Sequence, residues 1–311
     1  MLPSQKEVSL AKDFNGLAFP SATQLAYRIG GITFGLHAEG ELLLTPEREL
    51  RAFAIEPGLC DVNLQVAWAD SLRVPDSTLL FHSGGLWSLF AEPTGYRFSF
   101  LSPLLGMTPY KEAWLDLDFR FGRVLLSRGY FDTDRPVYPL EYPLDELLMI
   151  HRLSRGEGVE VHAVGISDEN GRGHLFLGHS GAGKSTTARL WIDRPGVRIL
   201  SDDRIILRAR EGQIWMYGTP WHGDAGIASP DCAPLTGIYL LAHGRRNERV
   251  SLPAGRAAAE LFTRTFVTHH SEEGIRFTLD FLDGVAREVP CSIFQFVPDE
   301  SAVEAICRAG A

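Results

Sequence analysis

The stretch GHSGAGKS, residues 178–185, follows the pattern G-x-x-x-x-G-K-S. Glycines at this spacing let the backbone turn tightly, so that its N–H groups can surround phosphate oxygens without an intervening Cβ. The lysine brings positive charge to the β- and γ-phosphates, and the serine offers a hydroxyl to Mg²⁺. The sequence therefore predicts a nucleotide site with ATP and Mg²⁺ as cofactors. The expected nucleotide contacts are Gly178, His179, Ser180, Gly181, Ala182, Gly183, Lys184, Ser185 and Thr186.

The residues on either side of this phosphate loop support the same interpretation. Residues 174–177 are a short, mostly apolar run that is typical of a strand, and residues 186–191 favour a helix. The amino end of that helix would add its dipole to the anion site. Strand, glycine loop and helix follow one another in the order that the motif requires.

The composition indicates a folded globular protein and narrows its partners. The chain has 311 residues, of which 45% are hydrophobic and 22% charged, so one or two domains are expected. The net charge of −9 and the lack of a long basic run argue against nucleic acid as a partner. No apolar run approaches the length of a membrane span, and the amino terminus lacks the pattern of a secretory signal. We therefore expect no membrane partner and a cytoplasmic location.

The cysteines fit a reducing compartment. They lie far apart without C-x-x-C spacing, so neither a disulfide framework nor a zinc site is implied. They are Cys60, Cys232, Cys291 and Cys307.

Residues 1–143 are predicted to form a mostly β, mostly antiparallel amino-terminal domain. Residues 61–68 alternate polar and apolar side chains, and runs at 79–82 and 86–90 flank Gly84 and Gly85 as in a hairpin. Residues 96–100 and 114–121 repeat the same period of two. No pairing of a nucleophile with a base stands out here, so this domain receives no assigned role.

Two prolines near residue 143 mark a change to an α/β pattern over residues 144–311. Helical spacing covers 144–153, and further helices are predicted at 255–266 and 301–308. Strands are predicted at 159–166, 174–177, 196–200, 205–207, 214–217, 238–242 and 292–296. This alternation predicts an α/β domain with a mixed sheet.

Acidic and histidine side chains near the loop are the candidates for chemistry. Asp202 and Asp203 end an apolar strand after the loop, where a carboxylate can face Mg²⁺ or the γ-phosphate. Adjacent strand residues point to opposite faces, so one of the two is expected to address the phosphate and the other to orient a neighbour. His162, on the strand before the loop strand, can hydrogen-bond an active-site carboxylate. The glycine-rich segment 218–226, with His222 and Asp224, can close over phosphates.

Three of these motifs together resemble the catalytic domain of bacterial HPr kinase/phosphorylase. They are residues 161–163, 178–185 and 200–205, in the order and at the spacing of that family. The resemblance covers residues 144–300 and implies an α/β P-loop kinase fold with a mixed sheet, related more distantly to phosphoenolpyruvate carboxykinase. It implies that one of Asp202 and Asp203 activates the accepting hydroxyl, that His162 is grouped with it, and that the protein forms homo-oligomers.

The sequence also differs from that family in ways that leave the acceptor open. Thr186 stands where HPr kinases usually carry an acid, and residues 221–223 offer His222 where the family has an arginine. The amino-terminal half is also unlike the domain that accompanies HPr kinases.

Three functions therefore compete. The first is a Mg-ATP-dependent kinase for a hydroxyl on a protein, peptide or metabolite. Its catalytic residues would be Asp203, Asp202, His162 and Lys184, and its metal side would comprise Ser185, Asp202, His222 and Asp224. The second is a binding protein that only senses nucleotide. The third is a small-molecule phosphotransferase or carboxykinase-like enzyme, which would need an anion pocket for its acceptor; Arg189, Arg204 and Arg245 are available for it.

Overall fold

The computed structural model describes residues 24–103, 106, 108–179 and 181–307. Internal contacts divide the chain into two compact units, of which the first takes in residues 32–152 and the second runs from Leu153 onward. The short segment 29–31 belongs to the second unit by its contacts. Residues 144–152, assigned from sequence to the second domain, make their contacts in the first unit.

The first unit is built on one mixed sheet of eight strands in the spatial order β1-β2-β3-β8-β7-β6-β5-β4. Strands β4 to β8 pair antiparallel with their neighbours along the chain, whereas β3 runs parallel to both β2 and β8. A short 3₁₀ helix spans Glu49–Phe53. The strands are β1 Leu25–Ile29, β2 Ile32–Ala38, β3 Val62–Ala69, β4 Thr78–His82, β5 Trp87–Glu92, β6 Gly95–Leu101, β7 Pro109–Asp116 and β8 Phe121–Ser127. The predicted hairpin around Gly84 and Gly85 is present as β4 and β5.

The predicted strand 114–121 is wrong, because a tight turn interrupts it. The carboxylate of Asp116 accepts the backbone N–H groups of Arg120 at 2.7 Å and Phe121 at 2.9 Å, and Phe119 has a φ of 55°. An aspartate that binds the backbone in this way replaces the sheet ladder by a local turn. The alternation of apolar side chains therefore continues across two strands, β7 and β8.

Helix α1, Leu144–Leu153, forms where the sequence predicts a helix. Its inner face packs on the sheet of the first unit, since His151 lies with its ring 5.2 Å from that of Phe98 and 4.8 Å from that of Phe119. These contacts assign the helix to the first unit.

The second unit contains a sheet of ten strands around β15, Cys232–His243. Along its main path the order is β12-β10-β11-β15-β14-β13-β9-β17, and β18 pairs with both β15 and β16. Strand β15 runs parallel to β11 on one side and to β18 on the other. The remaining strands are β9 Val159–His162, β10 Val164–Ser167, β11 Gly173–Leu177, β12 Arg198–Ser201, β13 Arg204–Arg210, β14 Gln213–Tyr217, β16 Glu248–Ser251, β17 Thr265–Phe266 and β18 Cys291–Phe296.

Helices cover both faces of this sheet. Leu175 and Leu177 of β11 pack into the cluster that holds the helices at 254–262 and 272–288, whereas Phe176 packs into the cluster that holds the helices at 184–191 and 300–307. A strand buried on both faces reads as a continuous apolar run, which is why residues 174–177 show no alternation. The helices are α2 Lys184–Trp191, α3 Ala254–Phe262, α4 Glu272–Glu288 and α5 Glu300–Cys307. Within the described residues, none of the helices combines the length and the apolar character needed to cross a bilayer.

The structure corrects two predicted elements of this unit. The expected strand 159–166 is two strands, β9 paired with β13 and β10 paired with β11 and β12, because Ala163 between them donates its N–H to the carbonyl of Asp203 at 3.0 Å. The expected helix 255–266 ends at Phe262, and Thr265 and Phe266 pair with β9 instead.

Helix α4 was missed by the sequence interpretation, although its signals are present. Ser271 caps it by accepting the N–H of Gly274 at 3.0 Å, and acidic residues fill its first turn. Its buried side chains Thr278, Leu282 and Val285 recur at helical spacing.

Trp191 fixes α2, and with it the phosphate loop, against the sheet. Its side chain is 1% exposed and its ring lies 5.6 Å from that of His174 and 6.4 Å from that of Phe176.

We expect Trp191→Ala to lower the free energy of unfolding by about 3–5 kcal/mol, because the cavity left by the indole ring cannot collapse fully. Urea unfolding followed by circular dichroism measures this. The exposed neighbour Ile192 is the control, and an equal effect of Ile192→Ala would contradict the anchoring role.

Candidate active site

The phosphate loop connects the end of β11 to the start of α2. Gly181 and Gly183 have φ values of 80° and 105°, in the left-handed region that favours glycine. A Cβ on Gly183 would lie 2.5 Å from Cζ of Phe296, so a side chain is excluded there by space as well. Lys184 is the first residue of α2, and Ser185 and Thr186 follow in its first turn. The predicted contact Ser180 lies outside the described residues.

Two aromatic side chains from neighbouring strands brace the loop. His243 donates from Nε2 to the carbonyl of Gly181 at 3.1 Å and stacks on Phe296 with ring centroids 6.4 Å apart. They are direct partners in the β15–β18 register. Ala182 is 1% exposed, and its N–H donates to the carbonyl of His179 at 3.1 Å. The sequence interpretation missed His243 and Phe296, since only the pairing of two distant strands brings them together.

Lys184 folds back over the loop. Its ammonium donates to the carbonyl of Gly178 at 2.9 Å and approaches that of His179 at 3.5 Å. Burial lowers the pKa of Lys184, and the guanidinium groups of Arg264 and Arg204 lower it further, while Asp203 opposes them. The lysine thus lies where several positive charges meet one carboxylate.

Asp203 is that carboxylate, in the short bend between β12 and β13. His162 Nε2 lies 2.9 Å from its Oδ1, and Arg204 Nη1 pairs with its Oδ2. Burial by itself would raise the pKa of Asp203, but the hydrogen bond from His162 and the charges of Arg204 and Lys184 outweigh it and hold the pKa below the ordinary value. The side chain is 24% exposed, so a reactant can still reach it.

Backbone pairing places His162 beside that carboxylate. His162 ends β9 opposite Arg204, and its N–H donates to the carbonyl of Arg264 at 2.7 Å. An ionised carboxylate only accepts hydrogen bonds, so Nε2 of His162 is protonated and donates its N–H to Asp203 Oδ1. The structure thus brings together the predicted residues His162, Asp203 and Lys184.

Arginines complete the charged cluster. The guanidinium of Arg204 lies 4.4 Å from the ring centroid of Phe266, and its Nε is 3.6 Å from the buried carboxylate of Glu160. Arg264 pairs with Glu260 at 2.8 Å. Glu160 and Arg264 were missed from sequence, because only the pairing of β9 with β13 and β17 assembles them. Of the three arginines proposed for an acceptor pocket, Arg204 lies beside Asp203, whereas Arg189 and Arg245 have exposed side chains on α2 and in the β15–β16 turn.

Asp202 has a different environment from its neighbour. It is 3% exposed, and its two oxygens accept the backbone N–H groups of Gly223 at 3.0 Å, Ala225 at 2.8 Å and Ile227 at 3.3 Å. A buried carboxylate with three backbone donors acts as the anchor of the loop 221–227. His222 and Asp224 on that loop are exposed, and His222 donates from Nδ1 to the carbonyl of Gly223 at 3.0 Å. Within the described residues, no three His, Cys, Asp or Glu side chains lie close enough together to hold a metal ion.

Similarity to known proteins is found among solved structures and is distant. No protein-family model matches the sequence, and no curated protein matches it. Among solved structures the chain is similar to the HPr(Ser) kinase/phosphatase from Coxiella burnetii, with 15% sequence identity and a TM-score of 0.31. The match covers 49% of this chain and 95% of that chain. At this level of similarity the function has to be inferred from the chain's own residues.

The anchoring role of Asp202 can be tested by removing its carboxylate. We expect Asp202→Ala to destabilise the protein by about 2–3 kcal/mol, because three backbone donors lose a charged acceptor. Hydrogen exchange at the amides of Gly223, Ala225 and Ile227 should accelerate. The exposed Asp224 provides the matched control, and exchange rates that change equally in Asp224→Ala would exclude the anchor.

The pairing of His162 with Asp203 predicts a pH dependence. Because the pKa of Asp203 is held below its ordinary 3.8, the ionised carboxylate stabilises the fold above that pH, and the contribution is lost as the pH falls through the lowered value. In His162→Ala the pKa of Asp203 should rise, since its main hydrogen-bond donor is gone. Carbon-13 NMR of the Asp203 carboxyl group measures this shift. His222→Ala should leave it unchanged, and an unaltered pKa in both variants would contradict the pairing.

Proposed function

We propose that this chain is a Mg-ATP-dependent kinase that transfers the γ-phosphoryl group to a hydroxyl of an acceptor. The observation that carries the proposal is the contact of His162 Nε2 with Asp203 Oδ1 at 2.9 Å, at a carboxylate whose charge acts on Lys184 of the phosphate loop. Phosphoryl transfer needs positioning and charge neutralisation more than covalent chemistry from the protein. This cluster offers both.

The loop fits the phosphates of a nucleotide. Gly181 and Gly183 adopt the left-handed backbone that lets N–H groups of a tight turn face an anion, and the loop leads directly into the amino end of α2. Lys184, which donates to the Gly178 carbonyl in this structure, would exchange that bond for oxygens of the β- and γ-phosphates. ATP is the nucleotide that we propose.

Ser185 is the residue that we propose for Mg²⁺, since its hydroxyl lies in the first turn of α2 directly after Lys184. Bound there, the ion would neutralise phosphate charge. Asp202 fits that role poorly, because its oxygens already accept three backbone N–H groups and the side chain is buried. The kinase proposal therefore assigns Asp202 to holding the loop 221–227.

Asp203 would orient the acceptor hydroxyl and receive its proton. Its lowered pKa keeps it ionised near neutral pH, so that it is always in the accepting form. His162 Nε2 fixes the orientation of one carboxylate oxygen and Arg204 that of the other. His162 thus acts as a positioning residue through Asp203.

A second candidate is a phosphotransferase for a small anionic acceptor. The observation that favours it is the pair of guanidinium groups, Arg204 and Arg264, whose charges both act on Lys184. An anionic acceptor would be attracted to the same field. Both candidates take the phosphoryl group from a nucleotide. They differ in the acceptor and therefore in the product.

The decisive experiment is to incubate the purified protein with Mg²⁺ and γ-labelled ATP in an extract of its source cells, with Lys184→Ala in parallel. Label in a discrete product that is absent with the variant would establish a kinase. The fraction that carries it, macromolecules or metabolites, would separate the two candidates. ATP binding without any labelled product would instead favour a nucleotide-sensing protein.

Asp203→Asn tests the proposed base. We expect ATP binding to stay close to that of the wild type while transfer falls by about 10²–10⁴-fold, because the amide cannot accept the hydroxyl proton. Asp193→Asn, at an exposed position just after α2, is the matched control and should retain full transfer. Undiminished transfer by Asp203→Asn would remove Asp203 from this role.

A further inference from the structure

A cavity of the second unit, about 660 Å³ in volume, lies where β11, β15 and β18 begin to run parallel. The phosphate loop follows the opposite, carboxyl end of β11. The length of that strand therefore separates the two sites, and none of the residues in the proposed phosphoryl transfer lines the cavity. A volume of this size suits a small organic molecule.

One side of the cavity carries a positive charge, and the lining also includes one carboxylate, that of the exposed Glu288. The guanidinium of Arg249 stands 5.5 Å from the ring centroid of Tyr239, and within the described part of the chain it forms no ion pair. The other two arginines of the lining are neutralised, Arg172 by Asp168 at 2.8 Å and Arg287 by Asp283 at 2.7 Å. Arg249 is thus the lining cation with capacity for an anionic ligand.

The wall beside Arg249 is formed by three buried polar side chains that are hydrogen-bonded in series, Tyr239, His174 and Asp168. His174 is 4% exposed, its Nε2 donates to Asp168 at 3.1 Å, and the hydroxyl of Tyr239 lies 3.4 Å from its Nδ1. Asp168 also accepts two backbone N–H groups, from Asn170 and Arg172, each at 2.9 Å. Its negative charge is therefore covered by donors and does not face the cavity. A Cβ on Gly237 would lie 2.6 Å from the Tyr239 hydroxyl, so this glycine makes room for the ring.

The remaining lining mixes apolar side chains with the hydroxyl groups of Thr236, Ser251 and Ser292. Its apolar part combines the ring of Tyr239 with four buried side chains: Leu252 just after β16, Val289 just after α4, Cys291 at the start of β18 and Ile306 on α5. A ligand that suits both walls has one anionic group and a compact apolar body.

We propose that this cavity is a binding site for a small organic anion, either a phosphate monoester or a monocarboxylate. Arg249 would hold the anionic group, and the apolar body would lie against Tyr239 and Leu252. Arginine suits either anion, since its planar fork of donors matches both carboxylate and phosphate oxygens. The site is independent of nucleotide binding.

The test uses three probes of one shape: phenylphosphate, benzoate and the neutral benzyl alcohol. Binding is measured by calorimetry on the full chain carrying Lys184→Ala, because a phosphate probe would otherwise also occupy the phosphate loop. We expect at least one anionic probe to bind about tenfold or more tightly than benzyl alcohol. The ratio of phenylphosphate to benzoate affinity then identifies the preferred anion.

Arg249→Gln, added to that background, should weaken binding of the preferred probe by about tenfold, the loss of one charge-assisted hydrogen bond. Arg249→Lys should restore part of it. Arg246→Gln is the matched control, since Arg246 is exposed in the turn before the same strand and pairs with Glu248 outside the cavity. Because Arg249 is itself exposed, these variants should unfold at the parent temperature. Equal binding by Arg249→Gln and Arg246→Gln, no preference for anions, or no binding of any probe would overturn the proposal.

Discussion

The hydrogen bond between His162 and Asp203 is the interaction on which the candidate site depends. The two residues lie at two junctions between consecutive strands. His162 is the last residue of β9, just before β10, and Asp203 lies in the bend between β12 and β13. A hydrogen bond of 3.0 Å from the N–H of Ala163 to the carbonyl of Asp203 connects these two strand junctions. Because main-chain pairing sets both positions, the imidazole and the carboxylate meet without either depending on a flexible loop.

Burial and hydrogen-bond partners give the two adjacent aspartates separate tasks. The carboxylate of Asp202 accepts hydrogen bonds from the backbone of the loop 221–227. The carboxylate of Asp203 contacts side chains and remains partly exposed. A negative charge next to cationic side chains stays ionised and within reach of a reactant. A negative charge surrounded by backbone N–H groups becomes part of the scaffold. The same residue type thus supports architecture at one position and chemistry at the next.

Local patterns predicted several elements of both units. The strand, glycine loop and helix around Lys184, the aspartates at a strand end and the helix 144–153 all follow from signals within a few residues. The features that could not be predicted depend on the pairing of strands that are distant in the sequence. They are the division of residues 159–166 into β9 and β10, and the positions of Arg264, Glu160 and His243 near the site. Helix α4 is the exception, because its cap at Ser271 and its spacing of buried residues are local. The relative tasks of Asp202 and Asp203 follow from burial, which adjacent positions in a sequence do not reveal.

Phe296 under Gly183 has a consequence for anyone who would transplant the phosphate loop. Side chains alternate along a strand, so sliding β18 by one position would turn Gln295 or Val297 toward the loop and Phe296 away from it. The residue that supports the loop from below, Phe296, therefore lies far downstream of the glycines. Its position depends on the register of β18, a strand that is not part of the motif. An eight-residue cassette grafted into another scaffold would carry the glycines but lack this support, and a working graft would have to import the aromatic pair His243 and Phe296 as well.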